Sequence, residues 1–204
     1  ITVNADSTII GGTGKGAGVG FLDGATNTLA NAGLITDYGK TVGLALDKDR
    51  KLIGTGWIDG LALYGTAGSE AVTNTNLVTG SVKLGTGLNT FDNRNGAWFV
   101  TGDTVQLGDT AAHLFSNSGN MTIGGINRVF TTNETGYFNQ KADGTYLLDF
   151  DFDRNANWGG TTLAAALGLD NPGFTDLLNV SGMADLAGKV SINILNPGKA
   201  TPGT

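Results

Sequence analysis

The sequence predicts an all-β chain folded as a parallel β-helix, a solenoid of roughly nine stacked coils. Three observations predict it: the glycine content, a repeat of just over 20 residues, and strands that alternate apolar and polar positions. Glycine supplies 34 of the 204 residues, more than twice its usual share of about 7%. Only 15% of residues are charged and 40% are apolar, unlike the highly charged, apolar-poor profile of a disordered chain. Gly, Asn and Asp tolerate left-handed backbone at tight turns, and Thr suits a pleated surface.

The repeat is clearest from residue 78 onward. Val78-Thr79-Gly80 precedes Leu84-Gly85, Phe91 and Asn93, and Val100-Thr101-Gly102 precedes Leu107-Gly108, Phe115 and Asn117. The Val, Leu and Phe positions are offset by 22, 23 and 24 residues. Val180-Ser181-Gly182 echoes the first pattern, Asn31-Ala32-Gly33 and Asn117-Ser118-Gly119 share a turn, and Gly43-Leu44-Ala45-Leu46 echoes Gly60-Leu61-Ala62-Leu63. One such unit cannot bury its own apolar face, whereas stacked units line a common interior. At ~4.8 Å between strands, roughly nine coils make a rod ~40 Å long. A β-sandwich or jelly roll also spaces short strands closely and is the competing architecture.

In chain order, residues 1–77 are assigned to N-terminal coils by composition. Their start, Ile1-Thr2-Val3-Asn4-Ala5-Asp6, lacks an initiating Met and the basic and apolar parts of a signal peptide, so the chain is expected to come from something longer. Gly11-Gly12-Thr13-Gly14-Lys15-Gly16 resembles a phosphate-binding loop, but Gly16 stands where that loop needs Ser or Thr, which leaves a flexible corner. Residues 78–135 form the regular coils and residues 136–195 the C-terminal ones. There Leu148, Phe150 and Phe152 are expected to face inward, and Asp149, Asp151 and Asp153 to face solvent. A short helical insertion is expected over 161–169, where Leu163 and Leu167 share a helical face before Asn171-Pro172-Gly173. Residues 176–195 divide into three strands at Gly182 and Gly188, with Leu178, Val180, Val190, Ile192 and Ile194 expected inside. Residues 196–204 carry two of the three prolines and are expected to fray.

The strand ending Leu148-Asp149-Phe150-Asp151-Phe152-Asp153, then Asp176-Leu177-Leu178-Asn179-Val180-Ser181-Gly182, then Leu186-Ala187-Gly188-Lys189-Val190, resembles the last coils of bacterial autotransporter passengers. The resemblance covers residues 78–195. It implies a right-handed, single-stranded β-helix exported through the outer membrane of a Gram-negative bacterium and displayed or released at its surface, with C-terminal coils that assist folding. The implied partner is a C-terminal membrane barrel beyond this sequence. The segment from Arg154 to Thr175 is longer than that family's pattern.

Net charge is −6 and the sequence pI is about 4.5, which disfavours nucleic acid and anionic membrane surfaces. No run of 18 apolar residues exists, so no membrane insertion by a helix of this segment is expected. With no cysteine and a single histidine, His113, a structural zinc site or a histidine-assisted triad has little to draw on. His113 is expected at a corner. Asp149, Asp151 and Asp153 are the candidates for calcium or for acid/base work on polysaccharide. Trp57, Trp98 and Trp158 are candidates for sugar stacking or simple packing. The expected function is a non-catalytic stem without cofactor. The alternatives are an adhesin binding host glycan or protein and a β-helical polysaccharide lyase or hydrolase. Self-association through open strand edges is a further expectation.

Overall fold

Short strands bounded by turns build the molecule, and the computed structural model describes residues 1–12, 16–37, 41–56, 60–153 and 175–199, with backbone alone for 41–43, 55 and 56. Among these, every extended element is a β-strand and no α-helix occurs. The first rung comprises β1 (Thr2–Val3), β2 (Thr8–Ile10) and β3 (Val19–Phe21). The second comprises β4 (Thr26–Asn31) and β5 (Leu34–Thr36), then a hairpin of β6 (Thr41–Leu46) and β7 (Leu52–Gly56), then β8 (Leu61–Gly65). The third and fourth have two strands each: β9 (Ser69–Asn74) with β10 (Leu77–Lys83), and β11 (Thr90–Asn93) with β12 (Trp98–Gln106). Next come β13 (Leu114–Asn117), β14 (Asn120–Ile123) and β15 (Thr131–Thr135), then β16 (Tyr137–Gln140), β17 (Thr145–Asp151) and β18 (Leu177–Val180). The last strands are β19 (Met183–Leu186) and β20 (Lys189–Leu195).

Like strands of successive rungs pair in parallel. One sheet runs β1-β4-β9-β11-β13-β16-β19 and a second runs β2-β5-β10-β12-β14-β17-β20. A third row, β3-β8-β10-β12-β15-β18, joins the second because β10 and β12 are long enough to serve both. The pairing turns sequence periodicity into three columns of inward side chains. They are Leu29-Val72-Phe91-Phe115-Phe138, Ile9-Ile35-Val78-Phe99-Met121-Tyr146 and Val19-Leu63-Val82-Val105. All three meet in one core. Phe91, Phe99, Phe115 and Phe138 contact one another with centroids 4.7 to 5.4 Å apart, within the favoured range for aromatic pairs.

The sheet of β1 to β19 has seven strands, fewer than the roughly nine coils expected. Two steps are long: Asn31 to its partner Asn74 is 43 residues, and Asn133 to Asn179 is 46, against 19 to 24 along the ladder from Asn74 to Gln140. The hairpin β6–β7 occupies the first excess, and the second spans residues 154–174. The expected helix at 161–169, with Trp158, lies outside the described residues, as do Trp57 and residues 13–15.

Three sequence echoes fall elsewhere in space. Val78 pairs Phe99 rather than Val100, one residue out of step with the echo, and the β10–β12 register shifts only later, between Gly80 and Val82. Val180 pairs Glu134 in the third row. Gly43-Leu44-Ala45-Leu46 belongs to the antiparallel hairpin, whereas Leu61 to Leu63 lie in β8. In the tail, expected to fray over 196–204, Pro197–Lys199 makes one 3-10 turn with the Lys199 N–H donating to the Asn196 carbonyl at 3.0 Å, and residues 200–204 lie outside the described residues.

The inward placement of Val190, Ile192 and Ile194 is corrected. They are 65%, 62% and 54% exposed, and Met183 and Leu186 are exposed with them. Among the described residues β19 and β20 have neighbours on one edge only, β16 and β17. No described rung packs over their other side.

Candidate functional site

The acidic strand also differs from expectation. Asp149 is fully buried, while Leu148, Phe150 and Phe152 are half-buried. The Phe150 and Phe152 rings pack on each other at 5.1 Å. Asp149 turns inward because its carboxylate is satisfied there: it accepts the Arg128 N–H at 2.7 Å and the Asn193 amide at 2.6 Å. Asp176 faces the same interior, its two oxygens accepting the Phe130 N–H at 2.9 Å and the Asp149 N–H at 2.8 Å. The Asp176 N–H returns a bond to the Asp149 carbonyl at 3.0 Å. These two acids fasten the chain on either side of residues 154–174 to β17.

The three aspartates therefore do not form a calcium cage. Asp151 accepts the Asp153 N–H and the Asn196 amide, and Asp153 lies 3.4 Å from Lys199. Among the described residues no group of three or more acidic or histidine side chains is placed to hold a metal. The sealed Asp149 also removes the open carboxylate pair that a hydrolase or lyase on this strand requires.

Burial raises these acids. Asp176 is pushed up to about 8, partly offset by its backbone donors and by Arg128, whose guanidinium also lies 4.5 Å over the Phe130 ring. Asp149 and Glu70 are raised for the same reason. Glu134 is raised to about 7 by burial alone, with both carboxylate oxygens lacking a hydrogen bond between Val105 and Val180 in the third column. Nothing in its sequence context, Thr-Thr-Asn-Glu-Thr, marked it as internal.

The interior also holds an amide ladder. Asn31 donates to Asn74 at 2.9 Å, Asn74 to Asn93 at 2.8 Å, Asn93 to Asn117 at 2.7 Å and Asn117 to Gln140 at 2.8 Å. Asn31, Asn74 and Asn93 donate their second amide hydrogens to the carbonyls of Leu77, Trp98 and Asn120. The Asn-x-Gly turns singled out Asn31 and Asn117, and the repeat singled out Asn93; Asn74 and Gln140 lack the following glycine that would have revealed them.

The other motif residues are structural in placement. Leu178 and Val180 pack half-buried on the core. Gly182 and Gly188 sit at corners where a Cβ would fall 1.7 and 2.3 Å from the carbonyls of Gly136 and Gly144. Trp98 donates its indole N–H to the Arg50 carbonyl at 2.8 Å, so it packs rather than forming an open platform.

A groove of about 520 Å³ lies on the flank of the third row. Tyr64, Lys83 and Gln106 are register partners on β8, β10 and β12, so they stand one strand spacing apart along it. Thr66, Asp109 and His113 complete its walls. Gly85 and Gly108 also line it. At Gly85, with φ of +82°, a Cβ would sit 1.8 Å from the Thr66 carbonyl, and at Gly108 it would meet the His113 ring at 2.4 Å. His113 is thus a buried corner residue, with Nδ1 accepting the Asn89 N–H at 3.4 Å.

No family model, curated protein or solved structure matches this chain.

Proposed function

We propose that this chain is a right-handed, single-stranded parallel β-helical stem of a secreted autotransporter passenger, non-catalytic, exported to the surface of a Gram-negative cell through its own membrane barrel. The observation that carries this reading is the unbroken internal ladder from Asn31 to Gln140 beside the Phe91-Phe115-Phe138 column. Side chains that could do chemistry are spent on continuity along the stack. Asp149, Asp176, Glu70 and Glu134 lie behind strands and present nothing to a substrate; Asp149 and Asp176 hold neighbouring segments by hydrogen bonds. Cooperative stacking of this kind lets folding propagate rung by rung as a chain emerges.

The test is surface display. The chain is placed between an export signal and an autotransporter barrel in a Gram-negative host, with and without residues 177–195. The whole chain should appear outside the cell in a protease-resistant form, and the deletion should leave it degraded or stalled. Equal display and equal protease resistance of the two would defeat the stem reading.

A further inference from the structure

We infer that the groove along Tyr64, Lys83 and Gln106 binds an acidic oligosaccharide, a chain of pyranose rings carrying carboxylates; this goes beyond the stem reading and does not depend on export. The register fixes the spacing of the recognition groups. Three adjacent strands place these side chains over ~10 Å, about the length of a disaccharide. Tyr64 is partly exposed and offers a flat ring against which the C–H face of a pyranose packs. Among the described residues, the Tyr64 hydroxyl, the Lys83 ammonium and the Gln106 amide have no hydrogen-bonding or charged partner.

Lys83 sits between the other two, and an ammonium there is a charge-assisted donor for a carboxylate. Among the described residues that line the groove, Lys83 is the only Lys or Arg. Asp109 at the far wall disfavours a dianionic sulfate- or phosphate-dense ligand and can accept a sugar hydroxyl. Gln106 both donates and accepts, as hydroxyl recognition needs. An extended peptide would bind by adding to a sheet edge, but β8, β10 and β12 are paired on both edges here. Side-chain recognition of a repeating polymer is what remains.

The experiment is calorimetric titration and backbone NMR on the full chain. The probes are trigalacturonate, tetramannuronate, a hyaluronan hexasaccharide and, as a neutral control, maltohexaose. At least one acidic probe should bind saturably, with shifts clustered at residues 64–66, 83–86 and 106–110. Lys83→Ala and Tyr64→Ala should each weaken it by roughly tenfold or more while leaving the circular dichroism and melting unchanged. Lys141→Ala, an exposed cation away from the groove, should bind as the parent does. The inference is overturned by any of three results: no saturable binding of any acidic probe at millimolar concentration, equal binding of maltohexaose, or equal loss in Lys141→Ala and Lys83→Ala. None of these touches the stem reading, which surface display tests separately.

Discussion

Asn93 shows what one residue does in this fold. Its amide accepts from Asn74 and donates to Asn117 and to the Asn120 carbonyl, so its removal strands polar groups on two neighbouring rungs. A buried group left unpaired costs about 1–3 kcal/mol. Asn93→Ala should therefore lower the free energy of unfolding by about 3 kcal/mol in urea titration. Gln140 ends the ladder, and its Nε2 already lacks a partner. Gln140→Ala should cost only about 1 kcal/mol, since it orphans a single donor. Equal effects of the two would mean that the ladder does not act as a continuous unit. The ladder was half legible in the sequence, through the Asn-x-Gly turns at 31 and 117. Asn74 and Gln140 joined it only because strand pairing put them in line.

At the scale of the element, the corners decide how close successive rungs come. Gly85 follows β10 with φ of +82°, and its Cα hydrogen points at the Thr66 carbonyl of the rung before. A methyl group there would sit 1.8 Å from that oxygen, so Gly85→Ala must push two backbones apart. Gly96 also has a positive φ, +76°, but nothing lies within 4 Å of the added carbon. Gly96→Ala should then cost only the backbone strain of about 1 kcal/mol. Gly85→Ala should cost at least about 3 kcal/mol, read as a fall in melting temperature of about 6 °C or more. The Leu-Gly repeat at 84–85 and 107–108 pointed to these corners. The groove they line was not legible, because Tyr64, Lys83 and Gln106 share no motif.

For the whole molecule, buried acids set the pH response. Glu134, Asp176, Asp149 and Glu70 all have raised values in the fold, so the folded chain holds protons that the unfolded chain releases. Stability from these groups is whole below their ordinary values of 3.8 and 4.5 and is lost as pH rises through the raised ones, about 7 for Glu134 and about 8 for Asp176. The chain should melt higher near pH 5 than near pH 9, by about 5 °C or more. For Glu134 the interval from 4.5 to about 7 corresponds to a cost on the order of 3 kcal/mol at high pH. Glu134→Met keeps the volume and removes the ionisation. It should stabilise the chain at pH 9 by about 3 kcal/mol more than at pH 5. A stability that rises with pH in the parent, or a Glu134→Met gain that does not change with pH, would remove this account.

The sequence by itself determined the class of the molecule. Glycine content, Asn corners and the Leu-Gly, Phe and Asn offsets dictate short parallel strands, because a unit of about 22 residues can bury its apolar face only against its own neighbours. It also placed Phe91, Phe115, Asn93 and Asn117 in true register. Only the tertiary structure decided which side of β17 is buried. Alternation favoured Leu148, Phe150 and Phe152, but two backbone-bound carboxylates, Asp149 and Asp176, outweighed it. Period-two patterning describes one strand on one flat face. It cannot register a hydrogen-bond partner that arrives from 27 residues away, nor a strand edge such as that of β20 that leaves Val190, Ile192 and Ile194 uncovered.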